Sequence, residues 1–278
     1  MNKKQKLRNA VILGLLMSSV TASSAWAANN DPILKLPNSA IDGDFDNSKK
    51  PDDLGAYYIK NHIESGDPLN SGIGYGVWVS SAKPDDLWYN DAIYHAVADS
   101  LTIDIVNKGK NYLPGNSYYT VGILAGKANT KPGNGFNGDG LKTEINIKSK
   151  NDIRINVESA NSGSVFGTLT RENTQSYLKS ENGNVVIDSV KSDGDISGNG
   201  KGNNFEAAYG VAVEKNADNS ITAEKGSIVI RTDMISDDLE DGKTYGVYNN
   251  GSLELNSLNG VLIKAHAIQG DAYAIYAD

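Results

Sequence analysis

Tyr245-Gly246-Val247-Tyr248-Asn249-Asn250-Gly251-Ser252-Leu253-Glu254-Leu255-Asn256-Ser257-Leu258-Asn259-Gly260-Val261-Leu262-Ile263 reads as three short strands divided by two Asn-Gly turns. Leu253 and Leu255 flank Glu254, and Ile263 stands beside Lys264, so apolar and polar residues alternate with the period of a strand. Asn and Gly tolerate the positive φ of tight turns.

The same three-part order recurs upstream. An aromatic or Val followed by Gly and two positions read as apolar makes up Tyr75-Gly76-Val77-Trp78, Val121-Gly122-Ile123-Leu124, Phe166-Gly167-Thr168-Leu169 and Tyr209-Gly210-Val211-Ala212, with a variant at Tyr273-Ala274-Ile275-Tyr276. A second strand is read at Leu101, Ile103 and Ile105, at Leu141, Ile145 and Ile147, at Ile221, and at Leu253 and Leu255. A third is read at Ile153, Ile155 and Val157, at Val185 and Ile187, at Ile228 and Ile230, and at Val261 and Ile263. Polar residues such as Asp104, Glu144, Arg154, Asp188 and Arg231 fall between them. Asn182-Gly183-Asn184 and Glu224-Lys225-Gly226 punctuate the runs as turns.

Copies of the Gly element start at 75, 121, 166, 209, 245 and 273. A fixed order repeated at such spacing is the mark of a solenoid, in which each coil stacks its strands on those of the next. The expected fold is all-β, a parallel β-solenoid with loop insertions at 106 to 118, 126 to 140 and 191 to 206. One coil alone cannot offset its chain entropy, whereas each Ile, Val or Leu buried between stacked coils contributes roughly 1.5–3 kcal/mol.

Lys3, Lys4, Lys6 and Arg8 precede an apolar run from Ala10 to Val20 and a small-residue stretch closing on Ala25-Trp26-Ala27. This is the pattern of a secretory signal peptide over residues 1 to 27, with Ala25 and Ala27 marking the cleavage site. The apolar core is shorter than the ~20 residues of a membrane span, and no membrane span is expected in the mature chain. Cleavage removes only cations, moving the net charge from −8 to about −12, which disfavours nucleic acid and anionic lipid as partners. The chain has no Cys, so disulfides, Cys-ligated metal and thiol catalysis are excluded. The 14 Tyr and the regular Ile/Val spacing argue against a disordered chain. Residues 28 to 73 read as an N-terminal linker or cap and 74 to 278 as the repetitive region.

Signal peptide, acidic Cys-free composition and the Tyr-Gly-Val / Ser-Leu-Glu-Leu / Asn-Gly-Val-Leu-Ile repeat together resemble the passenger domains of bacterial autotransporters of the pertactin-like class, over about residues 75 to 278. The resemblance implies a right-handed parallel β-helix and export through the inner membrane and periplasm to the cell surface or the medium. It also implies a C-terminal translocator barrel, which these 278 residues do not contain. The expectation is therefore an N-terminal fragment or a different export partner.

The implied function is an adhesion or interaction scaffold whose partner is a glycan or protein on a host or neighbouring cell. Two other readings stand beside it: a carbohydrate-active β-helix enzyme, a polysaccharide lyase or hydrolase, and a structural spacer for a downstream domain. His62, His95 and His266 lack metal-ligand spacing, and no cofactor motif is present, so no catalytic, metal or cofactor residue is assigned. The single Gly133-to-Gly140 run lacks the tandem period of a calcium repeat and reads as a loop. Asp85-Asp86 and Asp237-Asp238 read as solvated loop carboxylates rather than as an acid/base pair. Tyr75, Tyr209, Tyr245, Tyr248, Tyr273 and Tyr276 are the candidate interaction stripe, with ring stacking between equivalent coil positions as the plainer role.

If the Ile face is the interior, Ile230→Asp places a carboxylate in it. The expected outcome is a lower melting temperature or a shortened protease-resistant core; unchanged protease resistance would reverse the assignment of faces.

Overall fold

The computed structural model describes residues 56–63, 74–79, 92–108, 119–126, 143–160, 164–192, 207–235 and 242–278. They form seventeen strands and, among the described residues, no helix. In chain order these are β1 (Ala56–Ile63), β2 (Gly74–Val79) and β3 (Ala92–Ala98), then β4 (Ser100–Asn107), β5 (Thr120–Ala125) and β6 (Thr143–Ser149). Next come β7 (Ile153–Ser159), β8 (Val165–Thr170) and β9 (Gln175–Ser180), then β10 (Val185–Lys191), β11 (Ala207–Val213) and β12 (Asp218–Ala223). The last five are β13 (Ile228–Met234), β14 (Lys243–Asn249), β15 (Ser252–Ser257), β16 (Val261–Ala267) and β17 (Asp271–Ala277).

Every pairing joins a strand in parallel to the one three places further along the chain. The first sheet is ordered β1-β4-β7-β10-β13-β16, the second β17-β14-β11-β8-β5-β2 and the third β15-β12-β9-β6-β3. Each run of three strands thus contributes one strand to each sheet and forms a tier, an order consistent with a β-solenoid. Parallel pairing puts like on like: Ile103, Ile155, Ile187, Ile230 and Ile263 are consecutive ladder partners down the first sheet.

All three sheets share one apolar interior. Ile103, Ile155, Ile187 and Ile230 of the first sheet meet Val77, Ile123, Val211 and Val247 of the second and Ile145, Ile147, Leu178 and Ile221 of the third. The residues between them on the first sheet, such as Asp104, Asn156, Asp188 and Arg231, are half-buried on the outer face, as the alternation predicts. Asp188 and Arg231 are direct ladder partners and join through both carboxylate oxygens.

The repeating glycine has a tertiary cause. In β11, Ala208, Val211 and Val213 belong to the shared interior, while Tyr209 and Ala212 belong to a second apolar cluster on the other face. Tyr209 and Val211 are two apart yet face opposite ways, so the pleat slips by one residue at Gly210. The ladder partners Tyr209↔Tyr245 and Val211↔Val247 accordingly skip the glycine pair. A Cβ on Gly210 would overlap Ile230 Cγ2 and stand 2.5 Å from the Gly246 carbonyl oxygen. Gly76, Gly122, Gly167 and Gly246 meet Ile103, Ile155, Ile187 and Ile263 in the same way. Each glycine therefore receives the isoleucine of the following tier, where a side chain would collide.

Strand membership departs in one place from the sequence reading. Leu101, Ile103 and Ile105 lie in β4, whose partner is β7 with Ile153, Ile155 and Val157, so they belong with the run read as the third strand. Alternating Ile and Leu serve the first and third sheets equally, and local sequence cannot say which. The third-sheet strands of the first and third tiers are β3 and β9. In β9 the buried positions are Ser176, Leu178 and Ser180, which leaves one large apolar residue to read. β1 falls inside the segment read as linker or cap and pairs with β4. Leu141 lies outside the described residues, as do most of the three insertions expected as surface loops.

The turns differ in mechanism from the one expected. Of Gly183, Gly226, Gly251 and Gly260, only Gly260 has a positive φ, 101°. Gly183, Gly226 and Gly251 are instead pressed against the backbone of neighbouring turns; a Cβ on Gly226 would meet the Gly183 carbonyl. At this corner between third and first sheets, Ser149, Ser180 and Ser257 donate to the carbonyls of Asp99 (3.2 Å), Asn151 (2.6 Å) and Gly226 (2.8 Å). Asp152 Oδ1 and Asn184 Oδ1 accept from the amides of Asn184 and Ser227 at 2.8 and 2.9 Å. Among the described residues, the left-handed ones other than glycine are Asn173 and Asn216, at equivalent places in the turns after β8 and β11.

Gly210→Ala should overpack the junction and destabilise the protein by about 1–3 kcal/mol. Denaturant unfolding is the measurement, and a midpoint equal to wild type would show that the glycine column is not under steric load.

Candidate interaction face

The second sheet contributes to an apolar cluster on each of its faces. β5 and β8 are buried at every position. Because the pleat slips at the glycine, each strand of this sheet presents two outward columns. One runs Val121, Phe166, Tyr209, Tyr245, Tyr273, and the other Trp78, Leu124, Leu169, Ala212, Tyr248, Tyr276.

The rings stack between tiers. Phe166 and Tyr209 have centroids 4.6 Å apart and planes at 3°, Tyr209 and Tyr245 are at 5.0 Å and 10°, and Tyr245 and Tyr273 at 5.3 Å and 13°. Tyr248 and Tyr276 stack at 5.5 Å and 8°. Between columns the contacts are edge-to-face: Tyr209 with Tyr248 at 5.9 Å, Tyr245 with Tyr248 at 5.6 Å and Tyr273 with Tyr276 at 5.7 Å. Offset stacks and perpendicular pairs are the two arrangements that the ring quadrupole favours. Of the six tyrosines read as a stripe, five therefore lie together on one face. The side chain of Tyr75 lies outside the described residues, although its backbone pairs with Val121.

Exposure varies from ring to ring along the face. Tyr245 is 7% exposed and Tyr276 36%, with Tyr209, Tyr248 and Tyr273 half-buried. Each stacked ring gives its flat face to the neighbouring tier, so the outward group is a ring edge or a phenol. Burial pushes the Tyr209 phenol well above its ordinary value of 10.0, and the phenols of Tyr245 and Tyr248 add to the effect. Burial likewise raises Tyr245 and Tyr248. Tyr273 is raised chiefly through its hydrogen bond to the Asp271 carboxylate at 3.1 Å.

A buried charge cluster borders the same face and carries no signature in the sequence. Arg171 follows β8 and is 1% exposed, with its Nε 3.3 Å from Glu214 Oε2, an ion-pair distance without hydrogen-bond alignment. Burial raises the Tyr119 phenol, and the Arg171 guanidinium opposes the shift. The Trp78 indole donates to the Gly126 carbonyl at 2.8 Å. Arg171-Glu172-Asn173-Thr174 looks like any polar turn; only the fold of residues 119 and 214 against it makes it a core ion pair.

The other candidates are dispersed. His95 pairs with Glu144 at 3.2 Å across β3 and β6, and His266 with Asp233 at 3.5 Å across β13 and β16. Asp85-Asp86, Asp237-Asp238, the 133 to 140 glycine run and Ala25 and Ala27 lie outside the described residues, as does the His62 side chain. Among the described residues no group of three or more His, Cys, Asp or Glu could hold a metal, and no helix is long and apolar enough to cross a membrane.

The connections are distributed unevenly around the sheets. Between third and first sheets they span only 99, 150–152, 181–184, 224–227 and 258–260. All the longer ones, 64–73, 80–91, 108–119, 126–142, 192–206 and 235–242, enter or leave the second sheet. No protein-family model, curated protein or solved structure gives a significant match to this chain.

The raised phenols set a pH response. Above pH 10 the unfolded chain loses phenol protons before the folded chain does, so the stability held in the neutral phenols is complete below that pH and declines as pH climbs towards the folded values. Unfolding free energy measured from about pH 9 to about pH 11.5 should fall, and Tyr209→Phe, which keeps the ring, should make the fall shallower. Identical slopes for the two proteins would show that Tyr209 is not the titrating group.

Proposed function

We propose that this chain is an exported protein, displayed at the cell surface or secreted, whose right-handed parallel β-helix serves as an adhesion or interaction scaffold of the autotransporter-passenger kind. The handedness rests on the rule that crossovers between parallel strands of one sheet are right-handed in ~98% of cases. Residues 1 to 27 are the export signal and Ala28 the mature N-terminus. The reading assigns no catalytic activity to the chain, and its partner is a glycan or protein on another cell.

The observation that carries the reading is that every long connection joins a strand of the second sheet, while those between the third and first sheets are short. In repeat proteins, insertions gather on the face that binds, and loops on a rigid scaffold carry recognition. The six long connections hold Trp88, Tyr89, Tyr112, Tyr118, Phe136 and Phe205 among Gly, Asn, Ser and Lys. Such a mixture supplies aromatic anchors and adaptable polar contacts, as in the binding loops of antibodies. Each long connection joins a strand of the sheet whose outer columns are aromatic, while the opposite corner is closed by hydrogen-bonded turns.

The test has two parts. Expressed in a Gram-negative host, the full chain is expected outside the cytoplasm with Ala28 at its N-terminus, and an intact Met1 end in the cytosol would sink the export proposal. On an array of surface glycans and matrix proteins, replacing 126–142 with the four residues found at 171–174 is expected to weaken retention at least about tenfold, the loss of roughly 1.4 kcal/mol. Retention unaltered by that replacement, in a variant with wild-type circular dichroism, would remove this face from the binding role.

A further inference from the structure

We propose that the stacked tyrosines of β14 and β17 form a site of oxidative cross-linking, where Tyr248 and Tyr276 couple into a dityrosine that staples one tier to the next. The two rings are 5.5 Å apart and 8° from parallel, and Tyr248 and Tyr276 are ladder partners on adjacent strands. Tyr276 is 36% exposed and Tyr248 half-buried, so a diffusible one-electron oxidant reaches the pair. Tyr245 and Tyr273 lie alongside as edge-to-face neighbours of Tyr276, at 5.6 and 5.7 Å, and hold its ring in place.

Packing alone does not call for the hydroxyl. Phe166 occupies the equivalent column position two tiers before Tyr245 and stacks on Tyr209 as closely as the tyrosines stack on one another. Yet the rings at 245, 248, 273 and 276 are all phenols. The chain contains no Cys, so no disulfide can bridge successive tiers, and phenol coupling supplies a covalent bond of comparable permanence. Closing the segment between 248 and 276 restricts the unfolded chain in the way a disulfide of the same loop length does.

The step balances with a peroxide oxidant acting through a peroxidase. Each phenol gives up one electron and its hydroxyl proton. The two phenoxyl radicals join through the ring carbons next to oxygen, and the two hydrogens on those carbons move to the phenol oxygens as aromaticity returns. Hydrogen peroxide takes the two electrons and two protons and leaves as two waters. The product is lighter than the parent by two hydrogen atoms.

Full-length mature protein, dilute enough to remain monomeric, is treated with horseradish peroxidase and hydrogen peroxide and then digested with trypsin. Cleavage after Lys243 and Lys264 places Tyr248 in peptide 244–264 and Tyr276 in peptide 265–278. The expected result is blue dityrosine fluorescence in the monomer fraction, with these two peptides joined, short of two hydrogens, fragmenting at Tyr248 and Tyr276, and a raised melting temperature of the treated protein. Tyr276→Phe, which keeps the ring and should keep the circular dichroism spectrum, is expected to lose the joined peptide. The proposal is overturned if the monomer yields no joined 244–264 and 265–278 pair, if fragmentation maps the bond to other tyrosines, or if the joined peptide is undiminished in Tyr276→Phe.

Discussion

The fit of an isoleucine column into a glycine column sets the rest of the structure. Ile103, Ile155, Ile187, Ile230 and Ile263 each project a Cγ2 at a glycine of the second sheet, one tier back. That offset interlocks consecutive tiers, because a strand cannot slip along its neighbour without driving an isoleucine into backbone. Parallel ladders would otherwise tolerate slippage where side chains are small. Here the register of the first sheet and the corner in the second are fixed by one contact repeated five times.

From the same glycines follows the double-sided second sheet. A strand with strict alternation has one inward and one outward set. A pleat slip at the glycine puts two consecutive positions inward, the first of them without a side chain, and lets the outer columns carry Tyr, Phe, Trp and Leu. The aromatic face is thus a by-product of turning a corner within a strand. Its rings then stack because parallel pairing sets equivalent residues on top of one another, at separations of 4.6 to 5.5 Å.

Charge is handled in two distinct ways. On the outer face of the first sheet, Asp188 and Arg231 meet as half-exposed ladder partners, where an ion pair contributes little beyond register. Arg171 and Glu214 are withdrawn from water, and burial makes the loss of either partner costly while making the pair itself a weak source of net stability. At the turns between third and first sheets, Ser149, Ser180 and Ser257 each donate to a turn carbonyl.

The amino-acid sequence by itself determined the all-β class, the inward Ile and Leu positions, the recurrence of the Gly element in one sheet and the grouping of the tyrosines, because each is written in period-2 alternation and spacing. Only the tertiary structure decided which sheet Leu101, Ile103 and Ile105 join, since inward aliphatics look alike in any strand. It also decided that Gly183 and Gly226 are there for closeness rather than for φ, that Ser176, Leu178 and Ser180 make a strand, and that Arg171 is a buried ion. In each case the deciding partner lies some thirty to fifty residues away along the chain, as with Gly183 and Gly226 or Arg171 and Glu214. Local pattern records how a residue alternates with its neighbours, but the atoms that limit its size and set the cost of its charge arrive from the adjoining tiers.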